Sequence, residues 1–189
     1  MINIKDTVYV PMVADYIHHG HINIIKVAKE YGYVIVGLMT DKAAASYKRL
    51  PLLNYKQRLE IIKNINGVDE VIPQDEFDYV PNIQKYRPKY FVHGSDWKTG
   101  IQKKARERVI KEMKLIKGYV IEPEYTKDIS STLINNAIIE KGVTPEFRLK
   151  RFRRLLENKE LVRGIDVHNG LTGLIAEDIS IIKNEVKEE

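Results

Sequence analysis

The chain has 189 residues, no cysteine and a single tryptophan. The first absence removes disulfides, thiolate nucleophiles and cysteine-held zinc together. Long apolar runs are missing too. No stretch reaches the roughly 18 consecutive apolar residues of a membrane span, and the opening Met1–Asp6 has no apolar leader core. We therefore expect a cytoplasmic protein with no membrane attachment. Charge of one sign is also scarce: 31 basic against 26 acidic residues leave +5. The densest basic runs, Lys103–Arg106 and Arg148–Arg154, alternate with apolar residues at helical spacing, as solvated helix faces do. No nucleic-acid partner is expected, although a modest positive field suits small phosphorylated ligands.

What is present is an alternation of apolar runs and amphipathic stretches. Thr7–Ala14 reads as a first strand, His21–Tyr31 as a helix, and Tyr33–Met39 as a buried strand. Asn54 caps a helix through Ile65. Val68–Ile72 is a short strand halted at Pro73, and Pro81–Tyr86 is a brief helix. Tyr90–His93 is a strand ended by Gly94. Ile101–Lys117 is a long helix, Gly118–Ile121 a strand, and Ser130–Glu140 a last helix. Ala43–Leu53 reads as a loop. The pattern predicts a doubly wound, five-stranded parallel sheet with ligands beyond the carboxyl ends of its strands. Four polar clusters fall at such ends: His18–His21, Thr40-Asp41, Gly94–Trp97 and Thr126–Thr132.

The tetrad His18-His19-Gly20-His21 carries the sharpest signal. Two imidazoles three residues apart, opening a helix behind a strand, can grip a polyphosphate. The helix end supplies free N–H groups and positive potential, and Gly20 lets backbone approach the ligand. A zinc pair is the competing reading, but no cysteine exists and no Glu lies between the imidazoles. We assign no metal ligands to the chain. Taken alone the tetrad could also be two surface histidines, and the order of elements around it is what favours a nucleotide.

At these residues the chain resembles the cytidylyltransferase superfamily typified by glycerol-3-phosphate cytidylyltransferase. The similarity spans Val8 to Ile139. It runs through Asp15-x-x-His18-x-Gly20-His21, Val36–Asp41, Arg58, Val68–Pro73, Gly94–Trp97 and Ile129–Thr132. The resemblance implies a Rossmann-like fold and a homodimer that joins CMP from CTP to a phosphorylated acceptor with loss of pyrophosphate. It also implies magnesium, which we expect nucleotide phosphates and water to hold. By resemblance His18, His21 and Lys48 are catalytic. Val13, Ala14, Asp15, Gly20, Asp96, Tyr125, Lys127, Ile129, Ser130, Ser131 and Thr132 would bind the nucleotide. Arg58, Trp97 and Asp41 would bind the acceptor.

Departures from the family pattern are specific. The family's Gly-Thr-Phe-Asp is Met12-Val13-Ala14-Asp15 here. Lys127 stands near the place of a phosphate-clamping Arg, and an ammonium cannot fork onto two oxygens. An acceptor lysine of the glycerol phosphate enzymes is replaced by an apolar residue near Val80, which argues against glycerol 3-phosphate.

Beyond Gly142 the chain changes character. Phe147–Leu156 is a basic amphipathic helix, and Leu161–Glu177, with His168-Asn169-Gly170-Leu171, resembles the opening of phosphoenolpyruvate mutase. A β/α barrel needs roughly 250 residues, so no mutase activity is expected. We divide the chain into a cytidylyltransferase domain, 1–140, and a linker helix with a truncated barrel segment, 141–189, built as helix-strand-helix. That context points to a small phosphonate, such as 2-hydroxyethylphosphonate, or a phosphate monoester as acceptor. Two rival readings are an adenylyltransferase of the same fold and a noncatalytic scaffold that docks the mutase.

Overall fold

The computed structural model describes residues 6–124, 134, 144–159, 161–162, 164 and 166–175. Two compact units result, Met1–Lys159 and Glu160–Glu189. In the first, five parallel strands run in the order β3-β2-β1-β4-β5. They are β1 (Thr7–Met12), β2 (Tyr33–Met39), β3 (Glu70–Gln74), β4 (Tyr90–Val92) and β5 (Tyr119–Ile121). The helices are α1 (His19–Tyr31), α2 (Asp41–Tyr47), α3 (Tyr55–Lys63), α4 (Val80–Tyr86), α5 (Lys103–Leu115) and α6 (Pro145–Asn158).

Alternation along the strands sorts side chains into two layers. Val8, Val10, Val34 and Val36 meet Ile25 and Ala28 of α1 and Ile62 of α3 on one face. Tyr9, Ile35 and Phe91 meet Ile83 of α4 and Val109 and Met113 of α5 on the other. With both faces covered, β1 and β2 read as nearly continuous apolar runs. Gly37 leaves room for a buried ring, since a Cβ there would sit 1.9 Å from the Tyr9 hydroxyl. That hydroxyl donates to Gln74 Oε1 and accepts from Asn82 Nδ2 at 3.0 Å, so the polar tip of a fully buried tyrosine is satisfied.

Several expectations change. Pro73 does not halt β3 but lies inside it, paired in register with Leu38. β3 is an edge strand, where a missing N–H is tolerated. The supposed loop after β2 begins as α2, because Thr40 Oγ1 caps Ala43 N at 3.3 Å and Ala43, Ala44 and Ala45 pack inward. The long helix expected from Ile101 opens as 3-10 turns, Ser95–Lys98 and Gly100–Gln102, before α5. The first unit extends past 140 to Lys159, because Arg154 of α6 bonds to Leu52 and Asp41. The helix expected over Ser130–Glu140 lies outside the described residues, apart from Ile134.

In the second unit, residues 170–175 are helical, and Asn169 Oδ1 accepts Thr172 N at 3.0 Å in a capping turn. The expected strand is absent among the described residues 161, 162, 164 and 166–169. Among the described residues no helix is long and apolar enough to cross a membrane.

Candidate active site

The order β3-β2-β1-β4-β5 reverses direction at β1, and a cleft of about 240 Å³ opens there, beyond the carboxyl ends of β1, β2 and β4. One wall is the N-terminus of α1. His18 has extended backbone and is the N-cap. Gly20 N donates to His18 Nδ1 at 3.2 Å, and His18 N donates to His21 Nδ1 at 3.4 Å, a capping box built from two histidines. The ring centroids are 4.1 Å apart.

This arrangement fixes the tautomers. Each Nδ1 accepts a backbone proton, so each ring's own proton must sit on Nε2, where it is free to donate. Burial, reinforced by His18 and Lys48, pushes His21 down to about 4, and burial followed by the His19 charge lowers His18 as well. At neutral pH the pair therefore offers two neutral N–H donors rather than two cations.

Positive charge comes from the segment after α2. Lys48 is the C-cap of that helix, its N–H bonded to Ala44 O at 3.0 Å, and both Lys48 and Arg49 line the cleft. Desolvation, then Arg49, lowers Lys48. Asp15 is 5 % exposed and holds the segment from the other side: its Oδ1 accepts Leu52 N at 2.6 Å, and its Oδ2 lies 3.3 Å from Arg49 Nη2. Ala14, between β1 and Asp15, is held at φ 56, a left-handed backbone that alanine seldom adopts. Strain of this kind recurs at functional sites.

The structure thus brings Val13, Ala14, Asp15, His18, Gly20, His21, Lys48 and Asp96 to one cleft. The three residues expected to bind the acceptor do not line that cleft. Arg58 is fully buried and spends its donors on Leu53 O, Val13 O, Met39 O and Asp41 Oδ1. A guanidinium with every edge engaged ties the ends of β1 and β2 together and does not reach a ligand. Asp41 is shared between Arg58 and Arg154. Trp97 is 0 % exposed, with Phe91 and His93 stacked against it, and its Nε1 donates to Glu122 Oε1 at 2.7 Å. Its role as a ligand platform is thereby replaced by one in the core. Tyr125, Lys127, Ile129, Ser130, Ser131 and Thr132 lie outside the described residues.

Other cleft residues escaped the sequence reading: Arg49, Tyr47, Tyr79, His93, Gln102 and Glu124. His93 follows β4 directly, one residue before the Gly94–Trp97 cluster. Its Nδ1 lies 2.9 Å from Gly94 O, which places the proton on Nδ1 and leaves Nε2 as an acceptor, opposite to His18 and His21. Burial lowers its pKa. Burial also pushes the Tyr47 phenol up to about 12 and raises Tyr79, so both hydroxyls stay protonated.

The cytidylyltransferase-like family matches residues 13–137. Glycerol-3-phosphate cytidylyltransferase of Bacillus spizizenii is 37% identical over 86 residues, which are 44% of this chain and 67% of that protein. Ethanolamine-phosphate cytidylyltransferase of Mus musculus is 33% identical over 84 residues, 43% of this chain and 21% of that protein. FAD synthase of Methanothermus fervidus is 36% identical over 86 residues, 43% of this chain and 59% of that protein. The chain therefore spans two thirds of the Bacillus protein but less of the other two. Among solved structures, a lipopolysaccharide core biosynthesis protein from Thermoplasma volcanium GSS1 superposes with a TM-score of 0.54 at 22% identity, over 66% of this chain and 98% of that one. This supports the doubly wound α/β fold. The chain is an enzyme of the cytidylyltransferase-like family.

Proposed function

We propose that the protein transfers CMP from CTP to a small phosphonate or phosphate monoester, releasing pyrophosphate. The observation that carries this reading is the histidine capping box, which occupies both Nδ1 atoms and so leaves Nε2–H donors on two residues lining a cleft shared with Lys48 and Arg49. An acceptor oxygen, already anionic at neutral pH, attacks the α-phosphorus. The bond from that phosphorus to the bridging oxygen of the β-phosphate breaks, and pyrophosphate departs with the electron pair. Little base catalysis is required. Positioning by the α1 N-terminus, and donors placed where charge accumulates, supply the acceleration. The names of relatives that act on glycerol 3-phosphate and on phosphoethanolamine support a small phosphorylated acceptor.

Magnesium fits this cleft as a companion of the nucleotide. No group of three or more His, Asp or Glu side chains suited to a metal occurs among the described residues, and Asp15 is engaged with Arg49 and Leu52. The ion would be held by phosphate oxygens and water, neutralising triphosphate charge. The phosphonate reading rests on Leu161–Glu177, with its resemblance to a mutase that makes carbon–phosphorus bonds, and on the apolar residue at Val80. A pyrophosphate-release assay with CTP and with ATP, against 2-hydroxyethylphosphonate, phosphoethanolamine and glycerol 3-phosphate, tests it. Turnover with CTP and the phosphonate supports the reading. Turnover only with glycerol 3-phosphate, or only with ATP, overturns it.

A further inference from the structure

We infer that Arg154, on the helix beyond the span matched by the family, is a positioning residue for the cationic segment Lys48–Arg49 of the nucleotide cleft. The inference rests on the nucleotide reading above. Three groups clamp the chain just after that segment. Asp15 Oδ1 accepts Leu52 N at 2.6 Å, Arg154 Nη1 donates to Leu52 O at 2.6 Å, and Arg58 Nε donates to Leu53 O at 3.1 Å. The other end is fixed where Lys48 N bonds Ala44 O. Only a few residues lie between these anchors, so the two cations have little room to wander.

Arg154 does more than close a turn. Its Nη2 donates to Asp41 Oδ2 at 3.1 Å, while Arg58 Nη2 donates to Asp41 Oδ1 at 2.6 Å. One carboxylate therefore joins two guanidiniums, and through them the ends of β1 and β2, the Leu52–Leu53 backbone and α6. Arg58 belongs to the matched span of 13–137 and Arg154 does not. The half of the clamp that holds the Leu52 carbonyl is thus supplied by sequence outside the family match. Leu52 is held on both its N–H and its C=O, so the two peptide planes that flank its Cα are each tied down. Losing the guanidinium frees the second of these planes, and Arg49 is three residues from Leu52.

The test is a mutant cycle on the full chain, read by calorimetric titration of CTP, with thermal unfolding as the check on folding. R154A is expected to weaken CTP binding about tenfold, the effect of one charge-assisted hydrogen bond. R154K, which can reach one acceptor but not fork onto two, should fall between. In a K48A R49A background, adding R154A should change affinity no more than about twofold, because its target is gone. R154A and R154K affinities equal to wild type, or a full tenfold loss that persists in the K48A R49A background, would overturn the inference and leave the nucleotide reading standing. Wild-type protein that binds no CTP takes both down.

Discussion

The imidazole of His93 lies 4.1 Å from the Trp97 indole with 8° between their planes, and Phe91 stacks on Trp97 at 5.5 Å and 7°. The single tryptophan is therefore a spacer that seats a cleft histidine on the core. Replacing Trp97 with Ala should cost about 3–5 kcal/mol. Trp97→Phe should cost about 1–2 kcal/mol, because a ring remains on His93 and Glu122 keeps both Arg106 bonds. Urea denaturation of the two variants checks the order.

Arg58 is expected to be structural in its measurable effects. With Arg58→Met, Asp41 and the Val13, Met39 and Leu53 carbonyls lose their shared donor, at a cost of about 3–5 kcal/mol. Arg58→Lys should recover only part of this, since one ammonium cannot serve four acceptors in a plane. Chemical denaturation measures both.

His18→Ala and His21→Ala should behave in the opposite way. Each removes one Nε2–H donor from the cleft, and turnover should fall at least about a hundredfold. Loss of the cap at His18 should cost stability only about 1 kcal/mol. Parallel pyrophosphate-release and unfolding measurements separate the two effects. A variant that unfolds more than it loses turnover would point to a merely structural tetrad.

Stability should fall as the pH drops from about 6.5 towards 4. The folded-state pKa of His21 is lowered to about 4 by burial, so in this interval the unfolded chain takes up a proton that the folded chain refuses. Above 6.5 both states are neutral and the contribution is flat. A second loss is expected below about 4.5, where Glu122, held at about 2 by Arg106, resists a proton that the unfolded chain accepts. Urea midpoints between pH 8 and 3 check this. His21→Asn should shrink the upper step, to which His18 and His93 also contribute, and leave the lower one.

The strand ends were legible in the sequence because two-sided burial writes long apolar runs, and the polar residues that follow those runs stand out. That signal located His18, His21 and Asp96, and the family resemblance added Asp15. The signal missed His93, which reads as the last residue of the strand Tyr90–His93. Lys48 was placed but Arg49 was not, since neighbouring cations look alike until Asp15 is seen between Arg49 and Leu52. The family resemblance assigned Arg58 to the acceptor, and a charge in an amphipathic helix is ordinarily solvated. Its four acceptors come from segments distant in sequence, and no local pattern announces them. Pro73 misled for a similar reason: a strand's tolerance of proline depends on its place at the sheet edge, which is a property of topology.

The central claim is that two neutral imidazoles, protonated on Nε2, present donors to a nucleoside triphosphate. Nitrogen-15 NMR of the histidine rings, with and without CTP, tests it most directly. The expected result is unprotonated Nδ1 on His18 and His21 near neutral pH, and a His21 pKa that rises from about 4 when the polyanion binds. Protons found on Nδ1, or a His21 titration that CTP leaves unmoved, would contradict the account.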